Sequence, residues 1–227
     1  MTLIDLHGRT ILVTQADLFM GPALCRVLSA LGANVVADTT PLVDPAAAQR
    51  VVDAAGAIDV LVAHLAVPAP STPVGEVGDD EWRHVFAHLV DPLPRLARAV
   101  LPGLRARGGG KIVVVGSASA LRGMRRASTY SAARGAQLAW VQAAGVELAR
   151  EGVQVNAIAQ NFVDNPTYFP PQVQADPAFQ QRLRREVPLG RLVGADEDAT
   201  FAAYLCSRAA DCFVGQVFPL SGGWAVR

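Results

Sequence analysis

Short runs of consecutive apolar, often β-branched residues alternate along this chain with longer stretches whose apolar positions recur at helical spacing. Thr10 to Thr14 (TILVT), Asn34 to Asp38 (NVVAD), Ile58 to Ala63 (IDVLVA), Lys111 to Val115 (KIVVV), Val153 to Ile158 (VQVNAI) and Val214 to Leu220 read as strands. Gly21 to Leu31, stopped by Gly32, reads as a helix, as do Ala46 to Ala55, Thr129 to Arg150 and Ala195 to Ser207. Asp79 to Arg107 reads as a long helical stretch, interrupted by Pro92 and Pro94 and closed by Gly108-Gly109-Gly110. The segment from Asn161 to Gln180 reads as a long irregular loop beside a strand end. Strands that are apolar on both faces and separated by helices predict an α/β fold. Right-handed crossovers make it a Rossmann-like, doubly wound parallel sheet with helices on both faces, here as a single domain over 1–227. Ligands in such folds sit outside the carboxyl ends of the strands, which directs attention to the residues after Thr14, Ala63, Val115 and Ile158.

Composition narrows the field. The 227 residues suit one large domain with a substantial core. A hydrophobic share of 51% and a formal net charge of zero argue against disorder and against a basic nucleic-acid footprint. No apolar run reaches the ~18 residues of a membrane span, and the polar start, Met1 to Thr10, lacks a signal-peptide core. Cys25, Cys206 and Cys212 show no paired or metal-like spacing. The expectation is a cytoplasmic protein with neither membrane nor nucleic-acid partner.

The first strand-end turn reads Thr14-Gln15-Ala16-Asp17-Leu18-Phe19-Met20-Gly21. A dinucleotide-binding turn needs glycines so that phosphate can approach the backbone at a helix N-terminus. Here only Gly21 remains, Phe19 stands where pyrophosphate would pass, and Asp17 adds repulsion. Asp38, at the end of the second strand, is placed like a ribose-binding acid, although a strand-capping role suits it better. After the KIVVV strand, Ser117 is followed thirteen residues later by Tyr130 and four later again by Arg134. Tyr130 and Arg134 share one helix face, where a guanidinium favours phenolate over phenol. Ser117 supplies a hydroxyl for the same substrate oxygen. The residues alone leave a buried tyrosine with a chance arginine as an equal reading. His64 is expected to be structural, and His84 and His88, at i and i+4, lack a third metal ligand.

GSASA (Gly116 to Ala120) and YSAAR (Tyr130 to Arg134) resemble the short-chain dehydrogenase/reductase superfamily, with element order matching over nearly the whole chain. The departures are specific. Arg134 replaces the superfamily's lysine, Ala63-His64-Leu65-Ala66 replaces Asn-Asn-Ala-Gly, and Gln160-Asn161 replaces Pro-Gly. Thr14-x4-Phe19-x-Gly21 together with Ser117-x12-Tyr130-x3-Arg134 resembles one branch, the halohydrin dehalogenases. So do NPTYFPP (Asn165 to Pro171), VPLGRL (Val187 to Leu192) and SGGW (Ser221 to Trp224).

That resemblance implies catalytic roles for Ser117, Tyr130 and Arg134, with no cofactor and no metal. It implies a halide or nucleophile site at Phe19, Gln160, Asn161 and Phe162, built from backbone N–H groups and aromatic edges. The implied reaction interconverts vicinal haloalcohols with epoxide, halide and a proton, and opens epoxides with azide, cyanide or nitrite. The implied assembly is a homotetramer packed through the helices of 79–107 and 129–150. Two other readings stay open from sequence: an NAD(P)-dependent short-chain oxidoreductase with an atypical glycine loop, and a non-catalytic scaffold of the same fold.

Overall fold

The computed structural model describes residues 4–226; the first residues of the polar Met1 to Thr10 stretch lie outside it. Each apolar run forms a strand: β1 (Thr10–Val13), β2 (Asn34–Ala37), β3 (Val60–His64), β4 (Gly110–Ser117), β5 (Val153–Gln160) and β6 (Val217–Leu220). The helices are α1 (Gly21–Ala30), α2 (Ala47–Ala55), α3 (Asp79–Leu89), α4 (Pro92–Ala106), α5 (Ser119–Arg122), α6 (Ser128–Leu148), α7 (Pro171–Gln174), α8 (Pro177–Glu186) and α9 (Ala195–Cys206). The strands pair in parallel in the order β2-β1-β3-β4-β5-β6. The chain runs outward from β1 to β2 and then returns to β3, so the crevice where the winding reverses lies between β1 and β3.

Alternation along the strands builds two cores. Ile11, Val13, Val60, Val62, Val113, Val115 and Ile158 pack with Leu24 and Leu28 of α1 and Ala199, Ala202 and Ala203 of α9. Leu12, Leu61, Ala63, Ile112, Val114, Val155 and Ala157 pack against α2, α3, α4 and α6 through Val51, Leu89, Leu96 and Leu138. Each fully buried Leu, Ile or Val side chain contributes roughly 1.5–3 kcal/mol of transfer free energy.

One expectation is met and one is corrected. The 79–107 stretch is two helices, because Pro92 and Pro94 lack the N–H groups that an uninterrupted helix would use. The chain breaks at Val90 and Asp91, whose N–H groups both return to the Phe86 carbonyl, and Pro92 opens α4 in the first turn, where no donor is needed. The 161–180 segment is not wholly irregular: it holds α7 and the start of α8. Asp176 caps α8 by accepting from the Ala178 N–H at 2.9 Å, with Pro177 at its first position.

Candidate active site

Strand register assembles the rim of the site. Val115 lies beside His64, Ser117 beside Gln160, and Gln160 beside Leu220, so three polar side chains meet at the carboxyl ends of β3, β4 and β5. Ser117 is buried, and its Oγ is 2.9 Å from Ser119 Oγ and accepts the Ser119 N–H at 3.2 Å. Behind the rim, α6 presents Tyr130 and Arg134 to one cavity of about 670 Å³, which Ser117, His64, Phe19, Gln160, Asn161 and Phe162 also line. All seven proposed site residues thus share one cavity.

Arg134 is 6% exposed, and among the described residues no carboxylate pairs with it. Its Nη1 donates to the Val115 carbonyl and to Gln137 Oε1, both at 3.0 Å, while Gln137 Nε2 donates to the Leu89 carbonyl. The guanidinium carbon lies 5.1 Å from the centre of the Tyr130 ring, and Nε has no partner. A buried cation held only by neutral dipoles and a π-face favours negative charge forming beside it.

The crevice at the switch point is filled. The N–H groups of Ala16, Leu18 and Gly21 are taken by the carbonyls of Asp38, Gln15 and Leu18. Gln15 Oε1 accepts the Ala66 N–H at 2.6 Å, and the Gln15 carbonyl accepts His64 Nδ1 at 3.1 Å. The Phe19 ring packs on Tyr168 with centroids 5.2 Å apart. Gly21 survives for packing: a Cβ there would lie 2.4 Å from the Ala16 oxygen. Asp38 is occupied by Thr40, through N–H and Oγ1 at 3.0 Å each. Three of the turn's N–H donors are committed within the protein, the turn keeps one glycine and the Phe19 ring stands in it, so the residues present fit a dinucleotide poorly in the fold's usual pose.

Gln15 (φ 48°), Phe19 (φ 43°) and Phe162 (φ 52°) all adopt left-handed backbone beside this cavity. Such geometry costs about 1–3 kcal/mol per non-glycine residue and persists where surroundings over-determine it. The Phe162 N–H, expected to face an anion, instead donates to Asn161 Oδ1 at 2.9 Å. An aromatic wall runs from Phe162 to Phe169 and Trp224, at 6.1 and 6.0 Å between centroids.

His64 is 3% exposed, and burial pushes its pKa down to about 4, so near neutrality it is an uncharged ring whose Nδ1–H is fixed by Gln15. His88 Nδ1 donates to the His84 carbonyl at 2.7 Å, and among the described residues no group of three or more His, Cys, Asp or Glu is arranged to hold a metal. The residue reading left Tyr168, Trp224 and Asp198 without roles. Tyr168 Oη accepts the Ala69 N–H at 2.9 Å, and burial raises its pKa. Asp198 on α9 is fully buried and accepts from Gln160 Nε2. Nothing in the local pattern ADEDATF separates Asp198 from its exposed acidic neighbours except its helical phase.

The sequence profile of the family described as enoyl-(acyl carrier protein) reductase matches residues 20–225. The chain belongs to the short-chain dehydrogenase/reductase family. A family relative, the cis-4-hydroxycyclohexanecarboxylate dehydrogenase of Sinomonas cyclohexanicum, is 33% identical over 185 residues, which cover 81% of this chain and 70% of that one. Among solved structures, one described as a dehalogenation enzyme superposes with a TM-score of 0.90 at 34% identity, covering 99% of this chain and 100% of that one. The L-sorbose reductase of Gluconobacter frateurii, solved with NADPH and L-sorbose, has a TM-score of 0.89 at 22% identity, over 97% of this chain and 98% of that one. That likeness shows the short-chain dehydrogenase/reductase fold. Among the described residues no helix is long and apolar enough to cross a membrane.

Proposed function

We propose that this chain is a halohydrin dehalogenase that works without a nicotinamide cofactor. The observation that carries the reading is the buried Arg134 guanidinium, unpaired by any described carboxylate, beside the Tyr130 ring in a cavity that Phe19 also lines. The solved relative described as a dehalogenation enzyme supports it.

In this reading Ser117 and Tyr130 hold the hydroxyl of a vicinal haloalcohol. Tyr130, as phenolate stabilised by Arg134, takes the hydroxyl proton. The oxygen then attacks the adjacent carbon, and the carbon–halogen bond breaks with its electron pair leaving as halide. The halide is received beside Phe19, Gln160, Asn161 and Phe162. The reverse reaction opens an epoxide with halide, azide, cyanide or nitrite. Catalysis rests on holding the leaving group opposite the attacking oxygen. Arg122, Arg125 and Arg182 against the single carboxylate of Glu186 line the cavity and suit anion traffic. The protein is further proposed to be cytoplasmic, with three free cysteines that suit a reducing compartment. It is proposed to form a homotetramer through α3, α4 and α6.

The test is halide release from 1,3-dichloro-2-propanol by the purified protein. Release that falls by about 10²–10⁴-fold in Tyr130→Phe is expected, since that is what a positioned acid–base group contributes. No halide from a panel of haloalcohols would count against the reading. The dehydrogenases among the relatives favour a second one, an NAD(P)-dependent oxidoreductase. Tight NADH or NADPH binding, seen as a thermal shift, would support that alternative.

A further inference from the structure

Behind the proposed anion pocket lies a carboxyl group with no role in the reaction as drawn. Asp198 sits in the first turn of α9 with no exposed surface. One oxygen, Oδ2, accepts from Gln160 Nε2; the other, Oδ1, has no partner. Gln160 lines the cavity at the end of β5, opposite Ser117 in register. Its amide therefore spans the gap between the cavity and the buried acid. With Nε2 committed to Asp198, the amide oxygen bonds no described residue and is the end left for the cavity. An amide oxygen is an acceptor and repels an anion; the amide N–H₂ is what an anion requires.

We propose that Asp198 is the positioning residue for anion binding: it takes up a proton from solvent as the anion enters, its new O–H donates to the Gln160 oxygen, and the rotated amide turns an N–H toward the cavity. The orphaned oxygen is the natural place for that proton, because a buried carboxylate oxygen without a donor is costly whereas a protonated one needs no acceptor beyond Gln160. The same proton removes a buried negative charge from behind the pocket. A proline at position 160, which the resembled oxidoreductases carry in this segment, would offer Asp198 no amide. The inference deepens the dehalogenase reading and rests on it.

The surroundings leave Asp198 to this one contact. On α9 itself, Asp196 is paired with Arg26 of α1 and Glu197 with Arg191. Cys25 of α1 is only partly buried, and Lys111 of β4 pairs with Asp211 beyond the far end of α9, next to Arg208. On the cavity side stand His64 and Arg134. None of these acts on the carboxyl, whose pKa burial pushes up to about 7 against the lowering pull of the Gln160 bond.

Bromide binding to the intact protein tests this, followed by tryptophan fluorescence at constant ionic strength from pH 5.5 to 8.5. The wild type is expected to lose about tenfold in affinity between pH 6 and pH 8, as the protonated fraction falls around pH 7. Calorimetry in buffers of different ionisation enthalpy is expected to show proton uptake with bromide. Asp198→Asn, whose amide can donate to the Gln160 oxygen at every pH, is expected to bind with the low-pH affinity throughout and to take up no proton. Should that variant not fold, wild-type calorimetry decides alone. Bromide binding that is independent of pH and without proton uptake overturns the role of Asp198 and leaves the dehalogenase reading standing. The absence of bromide binding at every pH overturns both. An equal pH slope in Asp198→Asn also overturns the role.

Discussion

Burying an ionisable side chain costs free energy unless a partner meets it, and beside the cavity Arg134 and Asp198 meet that cost differently. Arg134 finds the Val115 carbonyl, Gln137 and the Tyr130 ring. Asp198 finds only Gln160. Between its ordinary value of 3.8 and the value of about 7 to which burial raises it, the folded state holds a proton that the unfolded state has released. Stability is therefore full below the lower value and falls as pH rises through the higher one, by up to roughly 4 kcal/mol. Comparing urea midpoints at pH 5 and pH 8, the wild type is expected to weaken relative to Asp198→Asn. Parallel changes in the two proteins would mean that the carboxyl is not held protonated by the fold. This residue was invisible from sequence, because an Asp among Asp196, Glu197 and Asp198 reads as a solvated first turn. Only the rotation of α9 against α1 and β4 decides which of the three is inside. The nearness of Ser117, Tyr130 and Arg134, by contrast, was legible, since a strand-end serine and a one-turn Tyr–Arg pair need only the fold class to share one cavity, while their expected role came from the family resemblance.

At the scale of elements, all six strands were read to within three residues at each end, since a two-sided core demands uninterrupted apolar runs. The break at Pro92 was legible from the missing N–H, whereas the reading failed where a polar helix carried little apolar pattern, as in α8, whose one buried residue is Leu183. The Asp176-Pro177 cap was present as a local signal but lay inside a segment weighed as a loop. Close approach also sets limits on α6. A Cβ on Gly145 would lie 2.4 Å from the Gly215 nitrogen and 3.0 Å from the Val155 oxygen, both backbone atoms that cannot swing aside. Gly145→Ala is expected to push α6 off β5 and to cost about 1–3 kcal/mol, as overpacking does. Thermal unfolding would show a lower midpoint; an unchanged one would mean that the 213–216 turn gives way freely.

For the whole molecule, the outward face of α6 carries Ala132, Ala136, Ala139, Ala143 and Val146 at helical spacing, and α3 exposes Trp82 stacked on Phe86. Val146 is 73% exposed, an unusual setting for a valine unless something covers it. If the proposed tetramer packs through these helices, Val146→Asp is expected to elute as a smaller species while keeping the helical circular dichroism of the wild type. An unchanged elution volume would place the interface elsewhere.

The clasp that Gln15 makes between the first and third strand ends has an engineering consequence. Its side chain and its carbonyl together fasten Ala66 and His64, while its own backbone is held in left-handed geometry. Trimming Phe19 alone would therefore not reopen a berth for a coenzyme, because the fastening would keep the two loops drawn together. On the proposed reading, a redesign that aims to admit a coenzyme has to release the Gln15 contacts to Ala66 and His64 as well as the Phe19 ring.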